Sequence, residues 1–119
     1  MIVRDDISKF HSIKPAYYQT LKQLRFSRTV SEDMIGPFEV ELVLSQYAVE
    51  GSVFHIKLLF EGVFGENIYC SQNIPPLQIE IEDVRNMQLE GARYRVTDVE
   101  SKAISFFCKS FTAELMNSE

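Results

Sequence analysis

The chain has 119 residues, 45% of them hydrophobic and 24% charged, with two cysteines, Cys70 and Cys108, and a formal net charge of −5. That length makes a single domain, 1–119, able to bury about two-thirds of its unfolded surface, and the composition excludes extensive disorder. Two cysteines are too few for a disulfide framework, and no apolar run approaches the ~20 residues of a membrane-spanning helix.

The first elements in chain order are basic. Residues 1–30 carry Arg4, Lys9, Lys14, Lys22, Arg25 and Arg28 against Asp5 and Asp6, a net +4. The opening Met-Ile-Val-Arg-Asp-Asp sets acids where a signal peptide needs bases and then an apolar run, so a cytoplasmic protein is expected. A short turn over Asp5 to His11 precedes a predicted helix over Pro15 to Arg25. Pro15 suits a first helical turn, and Tyr17, Leu21 and Leu24 recur at i, i+4 and i+7 to form one apolar stripe. Lys14, Lys22 and Arg25 flank that stripe. The expected role of this basic helical segment, 1–30, is an intramolecular lid over an acidic sheet rim.

After Gly36-Pro37 the apolar period falls to two. Phe38, Val40, Leu42 and Leu44 alternate with Glu39, Glu41, Val43 and Ser45; Phe54, Ile56, Leu58 and Phe60 alternate with His55, Lys57 and Leu59. Leu77, Ile79 and Ile81 then alternate with Gln78, Glu80 and Glu82, and Arg93 to Val99 and Ala103 to Leu115 complete the set. Each pattern predicts a strand with one face in a core and one in water. The last changes phase near Phe106-Phe107, as a β-bulge would cause. Turn residues lie between these runs at Glu50-Gly51-Ser52, Gly65-Glu66-Asn67, Asn73 to Pro76, Glu90-Gly91 and Glu100-Ser101-Lys102. Short connections favour an antiparallel meander over 37–116. The fold class is therefore α+β, mainly β: a curled antiparallel sheet of five to six strands with an N-terminal helix packed on it.

Residues 31–119 carry six bases against fifteen acids, a net −9. Such a surface attracts cationic partners and repels a phosphate backbone, so nucleic acid is not the expected partner. His11 and His55 lie in no metal-ligand spacing, and there is no C-x-x-C, so neither a metal nor another cofactor is expected. A Cys70–His55 nucleophile, or the Glu80/Glu82 pair as acid and base, would require convergence in a cleft with shifted pKa values. The acids instead alternate with core positions as solvated residues do, and no catalytic residue is assigned. A bridge between Cys70 and Cys108 is open to the sequence, with two buried thiols the plainer reading.

From Phe38 to Leu115 the chain resembles the small immunity proteins of bacterial polymorphic toxin systems, including contact-dependent growth inhibition. The likeness runs through His55-Ile-Lys-Leu-Leu-Phe-Glu-Gly-Val63, Leu77-Gln-Ile-Glu-Ile-Glu-Asp83, Leu89-Glu-Gly-Ala-Arg-Tyr-Arg-Val-Thr-Asp98 and Ile104-Ser-Phe-Phe-Cys-Lys-Ser-Phe111. The resemblance implies a non-enzymatic protein that binds one cognate toxin domain and blocks it. The acid distribution points to a basic partner, and the resemblance implies that this toxin is of the nuclease type, with a cationic substrate-binding surface. The expected contact residues are Glu39, Glu41, Glu80, Glu82 and Asp83, with Asp98 and Glu100 as a second patch. The alternative is a small-ligand-binding β-barrel, since nine phenylalanines and five tyrosines can line an apolar cavity.

Overall fold

The structure, a computed structural model, describes residues 2–46, 53–68, 76–87, 89–100 and 102–118, the side chains of residues 53, 117 and 118 excepted. Strand β1 (Ile2–Arg4) is followed by a short helix α1 (Ile7–Ser12), a 3₁₀ turn (Pro15–Tyr17) and two long strands, β2 (Tyr18–Val30) and β3 (Ile35–Gln46). Next come β4 (Val53–Ile68), β5 (Ile79–Asp83), a second 3₁₀ turn (Arg85–Met87), β6 (Tyr94–Asp98), β7 (Ile104–Cys108) and β8 (Ser110–Ser118).

β4 is the spine of one antiparallel eight-stranded sheet. One edge pairs with β3, from Ser45 opposite His55 to Phe38 opposite Val63, and β2 continues the sheet beyond β3. The other edge is divided. Its first part pairs with β8, which carries β1 on its far side, and its end pairs with β7, followed by β6 and β5. The changeover falls where Gly62 (φ +69°) meets Lys109, whose amide donates to Glu61 O at 2.9 Å. A Cβ at Gly62 would lie 2.9 Å from the Lys109 side chain, so this joint needs glycine twice over, for its backbone angle and for space. At the opposite side of the curl, the Leu77 amide donates to Gln19 O at 2.8 Å. The residues leading into β5 thereby reach the start of β2, and the sheet curls most of the way round its core.

That core is what the alternation dictates. Val40, Leu42 and Leu44 of β3, Ile56, Leu58 and Phe60 of β4, Ile79 and Ile81 of β5, Val96 of β6 and Phe106 of β7 point inward and are buried. Phe60 and Phe106 meet edge to face at 5.1 Å, as do Tyr94 and Phe111 at 5.0 Å. α1 is held at its start by Asp6, whose carboxylate accepts from the Lys9 amide, and its Phe10 packs on Phe111. Asp5 locks the N-terminus further, since its carboxylate accepts from the Phe111 amide at 2.8 Å while its carbonyl accepts from the Tyr94 hydroxyl.

The chain forms the expected class: mainly β, with a curled antiparallel sheet and one short N-terminal helix. Three details differ. The helix is α1, not Pro15 to Arg25, most of which belongs to strand β2. Among the described residues the sheet has eight strands, because β1 and β2 were not expected and the last expected run divides into β7 and β8. The phase change in the last run falls at Lys109, between β7 and β8, and not at Phe106-Phe107. Cys108 is a free thiol in the core, pushed up to about 12 by burial and then by the nearby Asp5 charge, and so stays protonated. Cys70 and the turns at 50–52 and 73–75 lie outside the described residues.

Candidate functional site

The seven acids expected at a binding surface occupy three separate places. Glu39 and Glu41 lie on the outer face of β3. Glu80, Glu82 and Asp83 lie on β5, at the far end of the sheet. Asp98 and Glu100 flank the turn from β6 to β7.

Two of the seven are buried. Glu41 is only 6% exposed, despite its outward position, because side chains from both neighbouring strands close over it. Arg25 of β2 and Lys57 of β4, the latter at 3.1 Å, both form ion pairs with its carboxylate. Asp98 is 1% exposed. Its carboxylate accepts from the amides of Gln78 (2.8 Å), Glu100 (3.1 Å) and Ala103 (3.3 Å), so it organises the β6–β7 turn and anchors the residues before β5. Buried polar groups of this kind are ordinarily satisfied within the fold. These residues hold the fold.

The β5 acids are more available. Glu82 is exposed and bound to Arg95 at 2.8 Å, and Asp83 is bound to Arg85 at 2.7 Å. Hydrogen bonding from Arg85 holds the Asp83 carboxyl below the usual carboxylate range. Glu80 is exposed and lines a cleft of about 360 Å³ with His11, Lys14 and Tyr17. Glu100 is exposed on its turn. The basic segment is partly neutralised within the molecule, as expected, but through the strand residue Arg25 and not through a helical lid.

The register brings together one pair that alternation within single strands could not reveal. Glu39 of β3 stands directly opposite Glu61 of β4. Like charges so placed repel each other. Among the described residues neither carboxylate has an ion-pair partner. Both line a cleft of about 430 Å³ with Met34, Gly36, Pro37, Gly62 and Lys109. Above it, residues 29–37 of the β2–β3 hairpin continue past Phe38↔Val63, the last rung shared with β4.

A family model described as Immunity protein PIM8 matches residues 2–114. The chain belongs to that family. No curated protein and no solved structure matches it significantly. Membership in the PIM8 immunity family implies a cognate toxin protein as partner, in agreement with the sequence resemblance.

The remaining features of this PIM8-family chain belong to its packing. His55 is buried on the outer face of β4, where its Nδ1 shares a 2.7 Å hydrogen bond with Ser45 Oγ. Burial, then the positive charge of Lys22, pushes the imidazole below its ordinary value and keeps it neutral. Its expected outward position is correct, but its exposure is not, because β3 and β8 flank it. Glu80 lines the cleft beside His11, whereas Glu82 is bound to Arg95. A small-ligand barrel requires an open interior; here Phe60 meets Phe106 and Tyr94 meets Phe111 edge to face inside the sheet. The clefts found among the described residues open at the surface.

Proposed function

We propose that this immunity protein neutralises its toxin by covering a cationic active or substrate-binding surface, as a nuclease would present. The observation that carries the reading is the Glu39–Glu61 pair. Two carboxylates held side by side, neither ion-paired among the described residues, in a cleft that Lys109 also lines, form a receptacle for a partner's arginine or lysine. Relief of their mutual repulsion adds to the gain from pairing. The exposed Glu80, Glu82 and Glu100 extend the negative field that steers a basic protein toward the sheet. The same reading takes the cytoplasm as the site of action.

The test takes as candidate toxin the C-terminal domain of any secreted protein whose gene is found to adjoin that of this chain. Co-expression of the two should rescue growth of a sensitive cell. Reversing both charges, Glu39→Lys with Glu61→Lys, should slow association about tenfold at low salt, and most of that difference should vanish once added salt shortens the screening length below ~8 Å. No rescue by the unaltered chain overturns the reading as a whole. Rescue with an unchanged association rate in the double variant removes the acidic pair from the contact.

A further inference from the structure

The part of the β2–β3 hairpin beyond the β4 ladder contributes no residue to the core, yet it is firmly built. Arg28 stacks on the Phe38 ring, its guanidinium carbon 4.0 Å from the centroid, and donates through Nε and Nη2 to Gly36 O at 3.0 and 2.9 Å. Phe26 packs on the same ring at 4.4 Å. At the tip the Ser31 amide donates to Met34 O at 2.9 Å, and the Met34 amide donates back to Ser31 Oγ. A segment this well braced holds its shape before any partner arrives.

What it displays is apolar and acidic. Val30, Met34 and Ile35 are 67%, 62% and 66% exposed, a concentration of bare apolar side chains within six residues. Between Thr29 and Glu39 the chain carries Glu32, Asp33 and Glu39 and no base. The edge of β2 has the opposite character. From Tyr18 to Val30 it bears Lys22, Arg25 and Arg28 and no acid, and its register slips at three points. Bulges and like charges of this kind prevent a second β2 from adding to the edge. A cationic protein is repelled along the side of the hairpin and attracted at its end.

We propose that residues 29–37 form an arm that enters, tip first, a basic cleft with an apolar lining on the cognate toxin domain. This rests on the reading of a cationic toxin surface and names the element that fills it. Glu32 and Asp33 meet the basic walls, Val30, Met34 and Ile35 supply the apolar anchor, and Glu39 with Glu61 receives a cation at the rim as the arm seats.

The experiment compares two full-length variants, Glu32→Lys/Asp33→Lys and Met34→Ser/Ile35→Ser, with the unaltered chain against the same neighbouring toxin domain. The altered side chains are exposed, so thermal unfolding should be unchanged. The charge variant should associate about tenfold more slowly at low salt, and the apolar variant should dissociate at least about tenfold faster. Amides of 29–37 should gain protection from hydrogen exchange in the complex. Toxin binding by the unaltered chain with no loss in either variant and no protection at 29–37 overturns the arm while leaving the immunity reading intact. Absence of binding by the unaltered chain overturns both. A dimer of the free chain that either variant dissociates would make the arm a contact between copies, and so also overturn its assignment to the toxin.

Discussion

Glu41 shows why a charge on an alternating strand cannot be assigned to the surface by position alone. Its outward direction was legible, but the closure of Arg25 and Lys57 over it depends on strand neighbours that the sequence does not name. The three charges are unequal in what their removal leaves behind. Glu41→Gln leaves two cations that reach water, one half-exposed and one largely so. Arg25→Met with Lys57→Met leaves a carboxylate buried without compensation. The double cation variant should therefore lose about 3 kcal/mol of stability and Glu41→Gln about 1 kcal/mol, as read from urea unfolding midpoints. A larger loss for Glu41→Gln would show that the carboxylate is not the buried partner. Asp98 teaches the same lesson in a turn, where a residue that looked like a recognition acid is committed to three backbone amides.

β2 is the element on which periodicity misleads, and its bulges explain how. Leu21 faces Leu44, Gln23 faces Val43 and Leu24 faces Leu42, with Lys22 as the extra residue in the ladder. One inserted residue turns an inward spacing of two into a spacing of three, and Leu21-x-x-Leu24 then looks like a helical stripe. Tyr17, the third member of the supposed stripe, is exposed in the 3₁₀ turn. Where no bulge intervenes, as in β3 from Phe38 onward, β4 before Gly62 and β5, alternation located the strands and their inward faces. Glu39 was legible for the same reason, whereas Glu61 gained meaning only from cross-strand register. The hairpin also shows how one side chain can sustain an element that lacks a third strand. Arg28→Ala removes both the stack on Phe38 and the bonds to Gly36 O, worth about 1 kcal/mol locally, so amide exchange at Val30 and Gly36 should accelerate about fivefold. Global stability should change little. Unaltered exchange would mean that the turn at Ser31 and Met34 alone holds the arm.

Across the whole molecule, acid should loosen the fold by a route that begins at His55. Its imidazole is held neutral, below its ordinary value, mainly by burial. The unfolded chain binds a proton there before the folded chain does, so stability present above about pH 6.5 is lost as pH falls through that value toward the depressed one. Asp83, lowered by Arg85, adds a second loss only below the ordinary carboxylate range near pH 4. Thermal unfolding of the unaltered chain should therefore show two separated limbs on acidification, and His55→Gln should abolish the upper one. An upper limb that persists in His55→Gln would assign it to another group. β4 ties both branches of the sheet together, and Asp5 and Leu77 fasten their outer members.

The position of the hairpin end outside the β4 ladder also affects inheritance. Core positions such as Phe60 or Val96 are bound to their neighbours, and a replacement there requires others to change with it. Val30, Glu32, Asp33, Met34 and Ile35 are exposed and pack into no core, although Val30 and Ile35 share a rung. A lineage can rewrite these five residues without repacking the sheet. Divergence between descendants can therefore accumulate at the tip while the sheet beneath it stands still.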